Sequence, residues 1–248
     1  MATKLKSLLR GLRLPLLLNA ALFAGGLFIV YLVGLDWLAA ALFLLLAIYL
    51  YSHPKGNLAT TSIIGIAAVV INLALMSYVT SPLAALSLAA MGGVLWCLII
   101  GIKNVEFLER REWHLFATDT VIYGVLVLFF LANQTVFSVI NILALAGFAY
   151  LVHRELLKDY FAESVKKPDL ALASGILSLI AVKIAWVASL LPLGFISDVN
   201  AVMITLLCAQ NLIIRKLENR LTARFTLLQI SFFGLAMLLI AGTTSWSL

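Results

Sequence analysis

The chain has 248 residues, of which 64% are hydrophobic and only 11% charged, with a formal net charge of +6. So little polar surface cannot clothe a soluble globule, and lipid is expected to be the main solvent. Membrane-spanning strands are excluded too: they would alternate apolar and polar over segments of ~10 residues, whereas 41–50 and 125–131 are apolar on every side.

The fold class expected is all-α: a polytopic transmembrane helix bundle that forms a single integral membrane domain over 1–248, since backbone groups in lipid must pair within each helix. A helix needs ~20 apolar residues to cross ~30 Å of hydrocarbon. Nine runs of about that length lie at 14–34, 35–52, 58–79, 82–102, 113–132, 136–153, 169–192, 198–214 and 225–241. A basic stretch from Lys4 to Arg13 precedes the first run, but a cleaved signal peptide is disfavoured because the run continues past the small residues of 20–25.

Turn chemistry separates the runs: Gly34 with Asp36, then His53-Pro54-Lys55-Gly56-Asn57, then Ser81-Pro82. Asn133-Gln134-Thr135 has the form of a glycosylation site but lies in a very short loop against the membrane, and is read as a turn. After the sixth run, Leu156, Leu157, Tyr160, Phe161 and Val165 share one face of an expected helical extension that ends at Lys167-Pro168-Asp169. Ser197-Asp198 opens the eighth run. Small residues at Gly25-Gly26, 84–93 and 171–175 are expected to let helices pack closely.

Loop charge tests this count independently, because basic residues are retained on the cytoplasmic side. Of the 17 Lys and Arg residues, all but Lys183 fall before the first run or after an even-numbered one, and the intervening loops carry only Asp36 and Asp198 as charges. The amino terminus is therefore expected in the cytoplasm and the carboxyl terminus outside. The basic loops sit beside apolar runs without interleaved aromatics, so their partner is anionic inner-leaflet lipid and not nucleic acid. A plasma membrane or bacterial inner membrane is the expected location. A weak internal echo, Leu108-Glu109-x-Arg111 with Phe116 against Leu217-Glu218-x-Arg220 with Phe225, links the starts of the fifth and ninth runs.

Two ionisable residues fall at membrane depth, where a charge costs about 2.5–3.5 kcal/mol on insertion scales. Lys183 lies about 21 Å from the cytoplasmic end of its run and Asp119 about 9 Å, a difference too large for a direct pair. Asn72, Asn141 and Thr205 come to the depth of Lys183 by the same count. The five residues Lys183, Asp119, Asn72, Asn141 and Thr205 are the candidate substrate or ion path, with Lys183 expected to face the bundle interior. Retinal attachment at Lys183 is disfavoured because two spans follow it and no acid shares its depth.

No catalytic set, metal site or cofactor is expected. His53, His114 and His153 fall near cytoplasmic helix ends without metal-ligand spacing and read as interfacial. No nucleophile elbow, zinc-protease or P-loop pattern occurs. Cys97 and Cys208 lie within apolar runs and read as small hydrophobes. Three functions follow in order: a transporter or conduit for an ion or small solute, an accessory or scaffold subunit of a membrane complex, and a lipid-modifying enzyme at the cytoplasmic face. The anticipated partners are the bilayer and either another membrane protein or a second copy of the chain.

Overall fold

The structure is a computed structural model that describes residues 2–52, 62–103, 110–133, 138–161, 165–191 and 194–244, without the side chains of 2–14, 62 and 110–111. Its described residues form nine α-helices and no strand: α1 (Ala2–Val33), α2 (Trp37–Ser52), α3 (Ser62–Met76), α4 (Pro82–Lys103), α5 (Arg110–Asn133), α6 (Val139–Phe161), α7 (Lys167–Ala188), α8 (Phe195–Leu217) and α9 (Ala223–Thr243). Each expected run holds one helix. Seven are long and apolar enough to cross a membrane; α2, with 16 residues, and the described part of α3, with 15, are shorter. That composition makes the chain a multi-pass membrane protein of the helical class.

Local chemistry explains the boundaries. Ser81 accepts a hydrogen bond from the Ala84 N–H at 3.2 Å, and Pro82 occupies the first helical position, where its missing N–H costs nothing. Thr222 caps α9 through the Phe225 N–H at 3.3 Å. At the end of α8, Asn219 takes a φ of 56°, and the Arg220 N–H donates back to the Arg215 carbonyl at 2.9 Å, the geometry that closes a helix with one left-handed residue. α6 runs on to Phe161, along the expected helical extension, with Leu156, Leu157 and Phe161 buried there. α7 stops at Ala188, short of 192, and Pro192 in the sequence disfavours helical backbone at the residue before it.

The chain divides into two compact units, Met1–Val121 and Ile122–Leu248. In the first, α1 packs on α4 and α2, while α3 packs on α4 and, more lightly, on α2. These four helices close a ring around Phe23, Leu27, Phe43, Leu50 and Trp96. Phe23 stacks on Trp96 with ring centroids 4.4 Å apart and meets Phe43 at 5.0 Å. The α1–α4 contact is close because Gly93 has no side chain: a Cβ there would stand 2.9 Å from the Ala20 carbonyl oxygen and 3.0 Å from the Ala24 Cβ. Gly26 does the same for α1 against α2, where a Cβ would meet Leu46 at 2.8 Å. Gly25 and Gly175, expected to serve likewise, face open space.

The second unit is a succession. α6 packs most extensively on α7, α7 on α8, and α8 on α9. Side chains of the carboxyl-terminal half of α5, Ile122, Val125 and Leu126, line a narrow space together with residues of α6 and α7. α9 has no buried residue. The ring in one unit and the succession in the other are different packing schemes, which lends no support to the internal echo; Leu108 and Glu109 themselves lie outside the described residues.

Candidate functional site

The candidate path residues divide between the units. Asn72 and Asp119 belong to the first, and Asn141, Lys183 and Thr205 to the second. Among the described residues, no hydrogen bond joins any two of Asn72, Asn141, Lys183 and Thr205. Asn72 is buried on α3, donates from Nδ2 to the Ala68 carbonyl at 2.7 Å, and sets its Oδ1 against α4 at Gly92, where a Cβ would stand 2.5 Å away. Thr205 donates to its own helix at the Ala201 carbonyl, 2.8 Å. Asn141 donates to Asn133 Oδ1 at 3.1 Å, and that oxygen also accepts from the Ser138 N–H at 3.1 Å. These three amide and hydroxyl groups are thus engaged locally, two within their own helices and one between the start of α6 and the end of α5. Asp119 is half-buried and has an interaction partner of its own.

Lys183 sits elsewhere. The side of α7 that packs on α6 and α8 carries Leu170, Ala173, Ser174, Leu177, Ser178, Ala181 and Ala185. Lys183 projects from the opposite side and is exposed. It takes part in none of the hydrogen bonds or ion pairs of the described residues. Since α7 ends at Ala188, Lys183 is five residues, about 7.5 Å, from the carboxyl-terminal end of its helix, nearer that end than a run to 192 implied.

The polar interior of the second unit is made of residues that apolar runs conceal. His153 is fully buried on α6. Its Nδ1 bonds the Ala149 carbonyl at 2.7 Å. That contact makes Nδ1 the protonated nitrogen of a neutral ring and leaves Nε2 as an acceptor. Buried Gln210 of α8 lies against the imidazole, although Nε2 makes no hydrogen bond of ordinary geometry. Ser178 on α7 donates to the Ala146 carbonyl of α6 at 2.7 Å, and Ser174 donates within α7 to Leu170 at 2.8 Å. His153 and His114 are both buried among the helices they sit on. His53 and Glu109 lie outside the described residues. The space bounded by Ile122, Val125, Leu126, Leu145, Phe148, Ala149, Val152 and Ala181 is walled only by apolar side chains and is too narrow for a water molecule.

Two features near helix ends escaped the sequence. Lys103, the last residue of α4, is 5% exposed; its Nζ donates to the Tyr51 carbonyl at the end of α2 and stands 4.2 Å from the Tyr51 ring centroid. A cation there meets the negative end of α2 and an aromatic face together. At the start of α8, Asp198 is buried with no hydrogen bond to Oδ1, while two residues on, Asn200 accepts from the Tyr123 hydroxyl at 3.3 Å. Loop charge alone marks Lys103 and Asp198 only as loop charges at the ends of their runs. Where α6 and α8 end, Tyr160 of α6 donates to Glu218 at 3.1 Å and Arg215 pairs with Glu218 at 3.6 Å.

Among the described residues, no group of three or more His, Cys, Asp and Glu side chains has the arrangement to hold a metal ion. No family model matches the chain, and no curated protein or solved structure is similar to it.

Proposed function

We propose that the chain is an accessory or scaffold subunit of a membrane complex, with nine spans, a cytoplasmic amino terminus and an outer carboxyl terminus. The observation that carries this reading is that five polar groups within the apolar runs, Asn72, Asn141, Thr205, Ser174 and Ser178, all close hydrogen bonds with neighbouring backbone or side chains. The space where α5, α6 and α7 meet is apolar and too narrow for water. A conduit needs hydrated polar groups left free to meet a solute. An enzyme at the cytoplasmic face needs an open cleft, whereas His153 is sealed among α6 and α8.

The experiment is to solubilise the full chain from its native membrane in mild detergent and measure the mass of the protein component. A mass above 27.0 kDa with a second chain in fixed ratio is expected. A chain that emerges alone, and that supports solute flux in vesicles which Lys183→Met abolishes, overturns the reading in favour of the conduit. One observation favours that second reading: the buried, unpaired Oδ1 of Asp198 near the Tyr123–Asn200 pair would suit a cation or proton entering from outside.

The topology is tested separately. Cysteines placed at Asn57 and Lys167 should react only with cytoplasmic reagent, and one at Ser247 only with external reagent. Cytoplasmic labelling at position 247 means that the number of crossings is even, the most direct route being that α2 or α3, the shorter helices, does not cross.

A further inference from the structure

Beyond its first turn, α7 carries one charge, Lys183. It is flanked on the exposed side by Leu172, Ile176, Leu179 and Trp186, all exposed. The spacing of these five positions, counting Lys183, alternates four and three residues, which is the seam that one crossing helix covers. An apolar stripe by itself is satisfied by lipid. The ammonium within it is not, because it makes no hydrogen bond or ion pair among the described residues and lies about 7.5 Å inside the helix end. A carboxylate at the same level on a neighbouring helix would neutralise it and accept its hydrogen bonds.

A second copy fits this face poorly. Two copies related by an axis along the membrane normal bring equal depths together, so Lys183 would meet Lys183. The chain's own acids near the outer helix ends do not help: Asp36 caps the start of α2, accepting from the Trp37 N–H at 2.7 Å, and Asp198 is 8% exposed within α8. We infer that the exposed face of α7 docks a transmembrane helix of a different protein, one carrying a single aspartate or glutamate about five residues inside its outer end. This names the partner chemistry for the accessory role proposed above and rests on that role and its topology.

The test reconstitutes the full chain in phosphatidylcholine vesicles with a labelled polyleucine helix that bears one aspartate five residues from an end, and follows association by energy transfer. Control helices carry leucine in place of that aspartate, or the aspartate at the midpoint. The end-aspartate helix is expected to associate about tenfold more tightly than either control. Lys183→Met should remove the difference without loss of helicity by circular dichroism, and Lys183→Asp should transfer the preference to a helix bearing lysine. Equal association of all the helices, or a preference that survives Lys183→Met, overturns the inference and leaves the ammonium to the outer headgroups. If the complex from native membranes keeps its mass in Lys183→Met while the vesicle preference is absent, the accessory role stands and the α7 face falls. A wild-type chain that leaves its native membrane alone overturns the accessory role instead.

Discussion

α4 and α9 are nearly the same length, 22 and 21 residues, and similarly apolar, yet α4 buries eleven of its residues and α9 none. The difference lies in side-chain size along one face. α4 presents Ala85, Ala89 and Gly93 to α1 and Gly92 to Asn72 of α3, so backbones approach closely and dispersion contacts accumulate. α9 presents Leu227, Leu228, Ile230, Phe232, Leu235 and Leu238 outward, and packs chiefly on α8. Apolarity takes a helix into the bilayer; small residues in register take it into the bundle.

The largest expected effect breaks the comparison at its aromatic centre. Phe23→Ala removes a fully buried ring stacked on Trp96 and should destabilise the first unit by about 3 kcal/mol through the cavity it leaves. Phe232→Ala in α9, at a site 58% exposed, should cost less than about 1 kcal/mol. Unfolding of the detergent-solubilised chain by titrated denaturing detergent measures both; similar losses would mean that α9 is packed as α4 is.

Adding bulk tests the same contrast from the other side. Gly93→Val pushes a side chain into the Ala20 carbonyl and Ala24 and should cost about 2 kcal/mol by overpacking, whereas Gly234→Val in α9 meets nothing within 4 Å and should stay within about 0.5 kcal/mol. A parting of α1 from α4 in the first variant is readable as faster exchange of their amides.

A smaller effect sharpens the role of Asn72. Gly92→Ala would place a Cβ 2.5 Å from its Oδ1 and should destabilise by about 1 kcal/mol. Asn72→Ala combined with Gly92→Ala should recover most of that loss, a coupling that a double-mutant cycle reads directly. Strict additivity would show that Asn72 does not rest on Gly92.

Nine helices and their approximate limits were legible because hydropathy is a sum along the chain, insensitive to which neighbour each residue meets. Gly93 and Gly26 were legible as close-packing positions, but Gly25 and Gly175, with the same composition signal, point into open space. His153 was legible as lying near the end of its run, but its burial was not, because that depends on the packed face that Leu156, Leu157 and Phe161 carry on along the expected extension.

α7 shows where the sequence stops determining and tertiary structure begins. Its apolar length, the proline near its start and the absence of charge between Leu170 and Val182 determine a membrane helix without any knowledge of neighbours. Which of its polar residues faces inward is not contained in that pattern. Ser178 and Lys183 are five residues apart, close to half a circuit of the helix axis, so both cannot lie on the packed side. Contact with α6 settles it: Ser178 reaches the Ala146 carbonyl while Lys183 is left on the uncovered face, because a short hydroxyl fits between close-packed backbones and a long cationic side chain does not.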